Sequence, residues 1–132
     1  MKVGVFLYEG FQEVEFWYPV LRLREANVDV AVIGVQHGEA SSSLLGYPVV
    51  PNVSLAQVQP GDFAALIVPG GNVAGIAENA AFLSFLKDAD AKGVVLAACS
   101  QAASLLKNPK FVAKSADDVP ALMRTLVKEL KV

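Results

Sequence analysis

Four runs along the chain are short, β-branched and almost continuously apolar: residues 3–7 (Val-Gly-Val-Phe-Leu), 28–33 (Val-Asp-Val-Ala-Val-Ile), 63–68 (Phe-Ala-Ala-Leu-Ile-Val) and 94–98 (Val-Val-Leu-Ala-Ala). Apolar runs of this kind suit strands covered on both faces, as in a parallel sheet flanked by helices. Between the first two runs the period changes, and Val14, Trp17, Tyr18 and Leu21 recur at helical spacing opposite the polar Arg22, Arg24 and Glu25. Asn27 suits the left-handed residue that ends such a helix. Pro19 removes an amide that would bond near residue 15, which predicts an irregular helix start. Residues 76–89 read as a second helix with Ile76, Ala80, Leu83 and Leu86 on one side, and 100–107 as a short third. Phe111 to Ser115 reads as a last strand. Asp117-Asp118 then opens a terminal helix that aligns Leu122, Leu126 and Leu130 and ends on Lys128 and Lys131, a polarity that matches the helix dipole. Residues 36–60 are rich in Ser, Gly and Pro and suit a hairpin around Gly46.

Strands alternating with helices predict an α/β fold, a flavodoxin-like three-layer sandwich with a mainly parallel, five-stranded central sheet in the order 2-1-3-4-5. In that order a crevice opens above the carboxyl ends of the first and third strands. A chain of 132 residues with 54% hydrophobic and 18% charged content fits one domain spanning 1–132 with a substantial core. A net charge of -2 and no Lys or Arg run leave no footprint for nucleic acid. The apolar stretches fall short of the roughly 20 residues needed to cross a bilayer, so no membrane partner is expected. One cysteine and a start without a secretory pattern point to the cytoplasm.

Three segments converge on the crevice. In Ala97-Ala98-Cys99-Ser100-Gln101 a buried strand runs into a helix, and an elbow there would push Cys99 toward the crevice with a helix N-terminus favouring its thiolate. The competing reading is a buried structural cysteine that acts as a small hydrophobe. In Val68-Pro69-Gly70-Gly71-Asn72 the missing side chains let backbone amides approach a ligand or an oxyanion, although an ordinary tight turn has the same composition. In Glu9-Gly10-Phe11-Gln12-Glu13-Val14-Glu15 several carboxylates stand at the mouth, although acids in this position also read as a solvated helix start. His37, the only histidine, follows the second strand. It lies three strand places from Cys99, about 14 Å away, and reads as a surface-loop residue. No metal-ligand spacing is evident, and no cofactor is implied.

A strand followed by Gly-Phe-x-x-x-Glu-x-x-x-Pro, then Pro-Gly-Gly after a strand, then an Ala-Ala-Cys elbow, resembles the ThiJ/PfpI family of the class I glutamine amidotransferase-like superfamily. The likeness runs in register from residue 1 to about 106, and Phe111 to Leu130 resembles the family's last strand and helix. It implies Cys99 as nucleophile, Glu15 as the acid on its sulfur, and Gly71, with Gly70 and Ser100, as oxyanion-type amide donors. It also implies a small carbonyl or acyl substrate, with glyoxalase-, deglycase- or amidase-like chemistry or redox sensing, and a homodimer. Ser100 stands where many hydrolytic members have His, Gln101 replaces a small residue, and Gln12 stands where several members carry another acid. The bridge Lys107-Asn108-Pro109-Lys110 is much shorter than the family's usual segment and removes one wall of the pocket. The alternative is a non-catalytic ligand-binding or interaction module that kept the fold.

Overall fold

The computed structural model describes residues 1–130. Its central sheet has six parallel strands, β1 (Lys2–Leu7), β2 (Asp29–Gly34), β5 (Val53–Ser54), β6 (Ala65–Val68), β7 (Val95–Cys99) and β8 (Phe111–Ala113), in the order β5-β2-β1-β6-β7-β8. Two short antiparallel strands, β3 (Ser41–Ser42) and β4 (Pro48–Val49), form the hairpin around Gly46. The sixth strand of the sheet is the addition to the sequence-based expectation. The two-residue edge strand β5 carries no hydrophobic period, and Asn52 pins its start with Oδ1 accepting from the Val32 amide at 2.8 Å.

The first crossover, through α1 (Glu13–Glu25), steps from β1 to β2, whereas the crossover through α2 (Ala80–Ala91) steps the other way, from β6 to β7. Right-handed crossovers in opposite directions put the two helices on opposite faces of the sheet. Phe6 of β1 meets α2 edge-on, with ring centroids 5.0 Å from Phe82 and 5.9 Å from Phe85. The terminal helix α3 (Val119–Leu130) packs beside α1 and buries Leu122, Met123, Leu126 and Leu130. Lys131, expected at its end, lies outside the described residues.

Helix α1 starts regularly, contrary to the irregular start that Pro19 predicts. Gln12 caps it, with Oε1 accepting from the Glu15 amide at 2.8 Å, and the helix runs through Pro19 to Glu25. Asn27 closes it in the left-handed region at φ 61°. The second helix begins later than the hydrophobic spacing suggests, because Asn79 caps it and a 3-10 turn takes Val73–Gly75. The segment after β7 is a 3-10 helix, Ser100–Leu105, and Lys107 to Lys110 forms a short and largely exposed link to β8.

Candidate active site

Three loops meet above β1, β6 and β7. After β6 the chain passes through Pro69, whose carbonyl accepts from the Tyr8 hydroxyl at 2.7 Å, into Gly70 and Gly71. The loop after β1 pairs with this turn: Gln12 N donates to Gly70 O and Asn72 N donates to Gly10 O, both at 2.9 Å. A side chain does not fit here. A Cβ on Gly71, whose φ is 131°, would lie 2.8 Å from Gln12 N. One on Gly70 would lie 2.8 Å from Cys99 O and collide with the Glu15 carboxylate.

Glu15 sits in the first turn of α1, one turn beyond the Gln12 cap, and is only 3% exposed. Its carboxylate is fully employed. Oε1 accepts from the Gly70 amide at 2.8 Å, and Oε2 accepts from the Ser100 hydroxyl at 2.7 Å. Both are charge-assisted bonds, the arrangement that makes a buried carboxylate tolerable.

The elbow falls one residue later than the sequence suggests. Cys99 is the last residue of β7, with ordinary extended torsions of φ -119° and ψ 137°, and its side chain is completely buried among the core residues. Ser100 carries the positive φ of 50°, so the chain reverses there and the half-buried Ser100 hydroxyl is the group turned to Glu15. The expected contact between Glu15 and the Cys99 sulfur is replaced by the contact with Ser100. The expected thiolate is also corrected. Burial, and then the charge of Glu15, push the Cys99 thiol up to about 12. A six-residue 3-10 helix behind it supplies little dipole to oppose that. The Tyr8 phenol is held above its ordinary range by burial first, then by Glu15 and Cys99.

Of the residues singled out from sequence, Glu15, Gly70, Gly71 and Ser100 are brought together on one rim, with Cys99 beneath it. Gly71 N donates to Gln101 Oε1 at 3.3 Å, so the amide expected to face an oxyanion is covered by a side chain. His37 is exposed, and its Nδ1 accepts from the Glu39 amide at 3.2 Å. It lines a separate cleft of about 650 Å³ beyond β2 and β5, with Leu55 and Phe85. Among the described residues no group of three or more His, Cys, Asp or Glu is placed to hold a metal ion. Two side-chain contacts of the rim, Ser100 to Glu15 and Gln101 to the Gly71 amide, were not expected from the sequence. The Ser100 hydroxyl was overlooked because Cys99 and Ser100 are adjacent nucleophile types and only torsion angles decide which one occupies the elbow. Gln101 carried one usable signal, a bulky polar residue among alanines.

A parallel sheet, a turn of positive φ after β7 and an acid delivered from the first helix to the carboxyl edge of the sheet describe a class of α/β proteins. The family model described as DJ-1/PfpI family matches residues 1–129, and the chain belongs to that family. Protein dj-1beta of Drosophila melanogaster is 31% identical over 128 residues, covering 93% of this chain and 67% of the relative. A deglycase of Thermococcus kodakarensis is 35% identical over 71 residues, covering 54% of this chain and 42% of the relative. The chain thus spans under half the length of that curated relative. A DJ-1 superfamily protein of Salmonella typhimurium superposes with a TM-score of 0.90 at 23% identity, over 98% of this chain and 89% of that one. Among the described residues no helix is long and apolar enough to cross a membrane.

Proposed function

We propose that this protein binds and transforms a small carbonyl or acyl compound at the rim formed by Glu15, Gly70, Gly71 and Ser100, with Cys99 as structural filler beneath. The observation that carries this reading is the Glu15 carboxylate. A nearly buried acid held by one backbone amide and one hydroxyl is costly to place, and it stands where α1, β6 and β7 deliver polar groups to one point. Relatives named as deglycases agree with a carbonyl substrate. Redox sensing and thiol addition are less well supported, because the thiol is buried and held protonated. The test is a titration with methylglyoxal followed by backbone amide NMR. Saturable shifts centred on Gly70 and Gly71 are expected, and shifts confined to the His37 cleft would overturn the assignment.

A non-catalytic binding module is the second reading, favoured by Gln101 lying on the Gly71 amide. It predicts the same amide shifts without turnover of the dicarbonyl.

The partner best supported by the surface is a second copy of the chain. Phe11 and Phe16 are core residues, with ring centroids 4.9 Å apart. Val14, Trp17, Tyr18 and Leu21 remain exposed along one stripe of α1. The hairpin extends that stripe with Leu44 and Leu45, tied to α1 by the bond from Leu45 N to Glu13 Oε2 at 2.8 Å. Contiguous apolar area of this kind marks an association surface. Sedimentation should show a dimer that Leu21→Glu dissociates, and a monomer at high concentration would exclude it.

A further inference from the structure

The geometry points to Ser100 as the nucleophile of this site and Glu15 as its base, for acyl transfer from a small ester or amide. The inference rests on the rim being a carbonyl or acyl site and adds to it which atom attacks. Three independent observations converge on Ser100. It holds the positive φ at the strand exit, a strained conformation that directs a side chain outward from the sheet edge. Its hydroxyl already donates to a carboxylate at 2.7 Å, the nucleophile-to-base contact that general-base activation requires. It is also half-buried, whereas its neighbour Cys99 has no exposed surface at all.

Glu15 is oriented for this role. With Oε1 fixed by the Gly70 amide, Oε2 is the oxygen left to take a proton. In the first step the Ser100 Oγ forms a bond to the acyl carbon while its proton passes to Glu15 Oε2, and the carbonyl electron pair moves onto the substrate oxygen. The Gly71 amide, which bonds only to the Gln101 side chain, is the donor we assign to that oxygen. Its present bond to Gln101 Oε1 is long, at 3.3 Å, and a developing oxyanion displaces it readily. Collapse breaks the bond to the leaving alcohol or amine, which departs with the proton from Glu15. A water molecule then adds to the Ser100 ester as Glu15 takes its proton. The second collapse releases the carboxylic acid and returns the proton to Ser100 Oγ. Overall, one ester and one water give one acid and one alcohol.

The probe is p-nitrophenyl acetate, with release of p-nitrophenolate followed by absorbance and the acetylated residue located by peptide fragmentation. Wild type and Cys99→Ala should both carry the acetyl group on Ser100 and release p-nitrophenolate at similar rates. Ser100→Gly accepts the positive φ without strain. It should therefore fold, as circular dichroism would confirm, yet lose about a hundredfold in rate. Glu15→Gln should keep Ser100 in place and lose a comparable factor. Acetyl on Cys99, or an undiminished rate in Ser100→Gly, would overturn the assignment. Absence of acetylation alongside methylglyoxal shifts at Gly70 and Gly71 would overturn the nucleophile and keep the site. Absence of both would remove the site as well.

Discussion

Two regions at the carboxyl edge of the sheet differ in kind. The cleft beyond β2 and β5 is roomy, at about 650 Å³, and is floored by Leu55 and Phe85 with exposed His37 and Asp88 at its lip. Its polar side chains Gln36 and Asn79 are engaged in backbone bonds, to the Glu9 and Phe82 amides, and it holds no buried carboxylate. The rim above β6 and β7 contains a nearly buried carboxylate, two short charge-assisted bonds, two glycines that admit no side chain and a residue at positive φ. Space alone is inexpensive for a protein surface. Buried charge and strained backbone persist only where surrounding structure holds them, so they mark the better candidate for chemistry.

Glu15 is the group on which the rim depends most. Replacing it with Ala leaves the Gly70 amide without its acceptor at a buried point and strands the Ser100 hydroxyl. Stability measured by urea unfolding should fall by about 3 kcal/mol. Glu15→Gln keeps one acceptor oxygen and should lose less. If Glu15→Ala is as stable as wild type, the carboxylate is not the organising group of the rim.

The next effect is a pH dependence centred on the layer below. In the unfolded chain the Cys99 thiol titrates near its ordinary value of 9.0, whereas in the folded chain it is pushed up to about 12. Between those values the unfolded chain has released a proton that the folded chain keeps. Rising pH therefore favours unfolding, with a slope approaching about 1.4 kcal/mol per pH unit that ceases above the folded value. Tyr8 adds a decline of the same sign from its ordinary value of 10.0. Denaturant titrations in Cys99→Ala should then show the alkaline decline starting about one pH unit later, as expected from 9.0 and 10.0. An identical onset in both proteins would mean that the thiol is not held protonated by burial.

A smaller effect isolates the elbow itself. Ser100→Ala and Ser100→Gly both lose the bond to Glu15, but only Ala keeps a Cβ at φ 50°. Ser100→Gly should therefore be the more stable of the two by about 1 kcal/mol in thermal unfolding. Equal stability would place the backbone strain elsewhere.

The sequence was informative for the strands, whose apolar runs are continuous, and misleading for the buried face of α1, where Val14, Trp17, Tyr18 and Leu21 are exposed and Phe16, Val20 and Leu23 are buried instead. The four apolar runs became β1, β2, β6 and β7 within two residues at each end, and Asn27 took the left-handed cap expected of it. From the residues alone Glu9, Glu13 and Glu15 were equivalent and Gly70-Gly71 read equally as a tight turn, so Glu15 and Gly71 were singled out by the family resemblance and not by topology. What escaped was set by contacts distant in the chain. Strand β5 exists because Asn52 reaches the Val32 amide, a bond with no footprint in hydropathy. The shift of the elbow from Cys99 to Ser100 is a matter of one residue's torsion, fixed by Glu15, 85 positions away in the chain.

His37 belongs to the roomy cleft and not to the rim. It stands just past the end of β2, and β2 is separated from β7 by β1 and β6, so three strand spacings of about 4.8 Å keep its imidazole far from Ser100. Its one hydrogen bond in the structure, with Nδ1 accepting from the Glu39 amide at 3.2 Å, is exposed and local. His37→Ala should therefore change folding stability by no more than about 0.5 kcal/mol. It should also leave p-nitrophenyl acetate turnover, and the amide shifts of Gly70 and Gly71 with methylglyoxal, unchanged. Asp88→Asn on the opposite lip of the same cleft should be equally silent. Loss of turnover in either variant would show that the roomy cleft and the crowded rim act as one site, because a residue this far from Ser100 could affect the reaction only by holding part of the substrate.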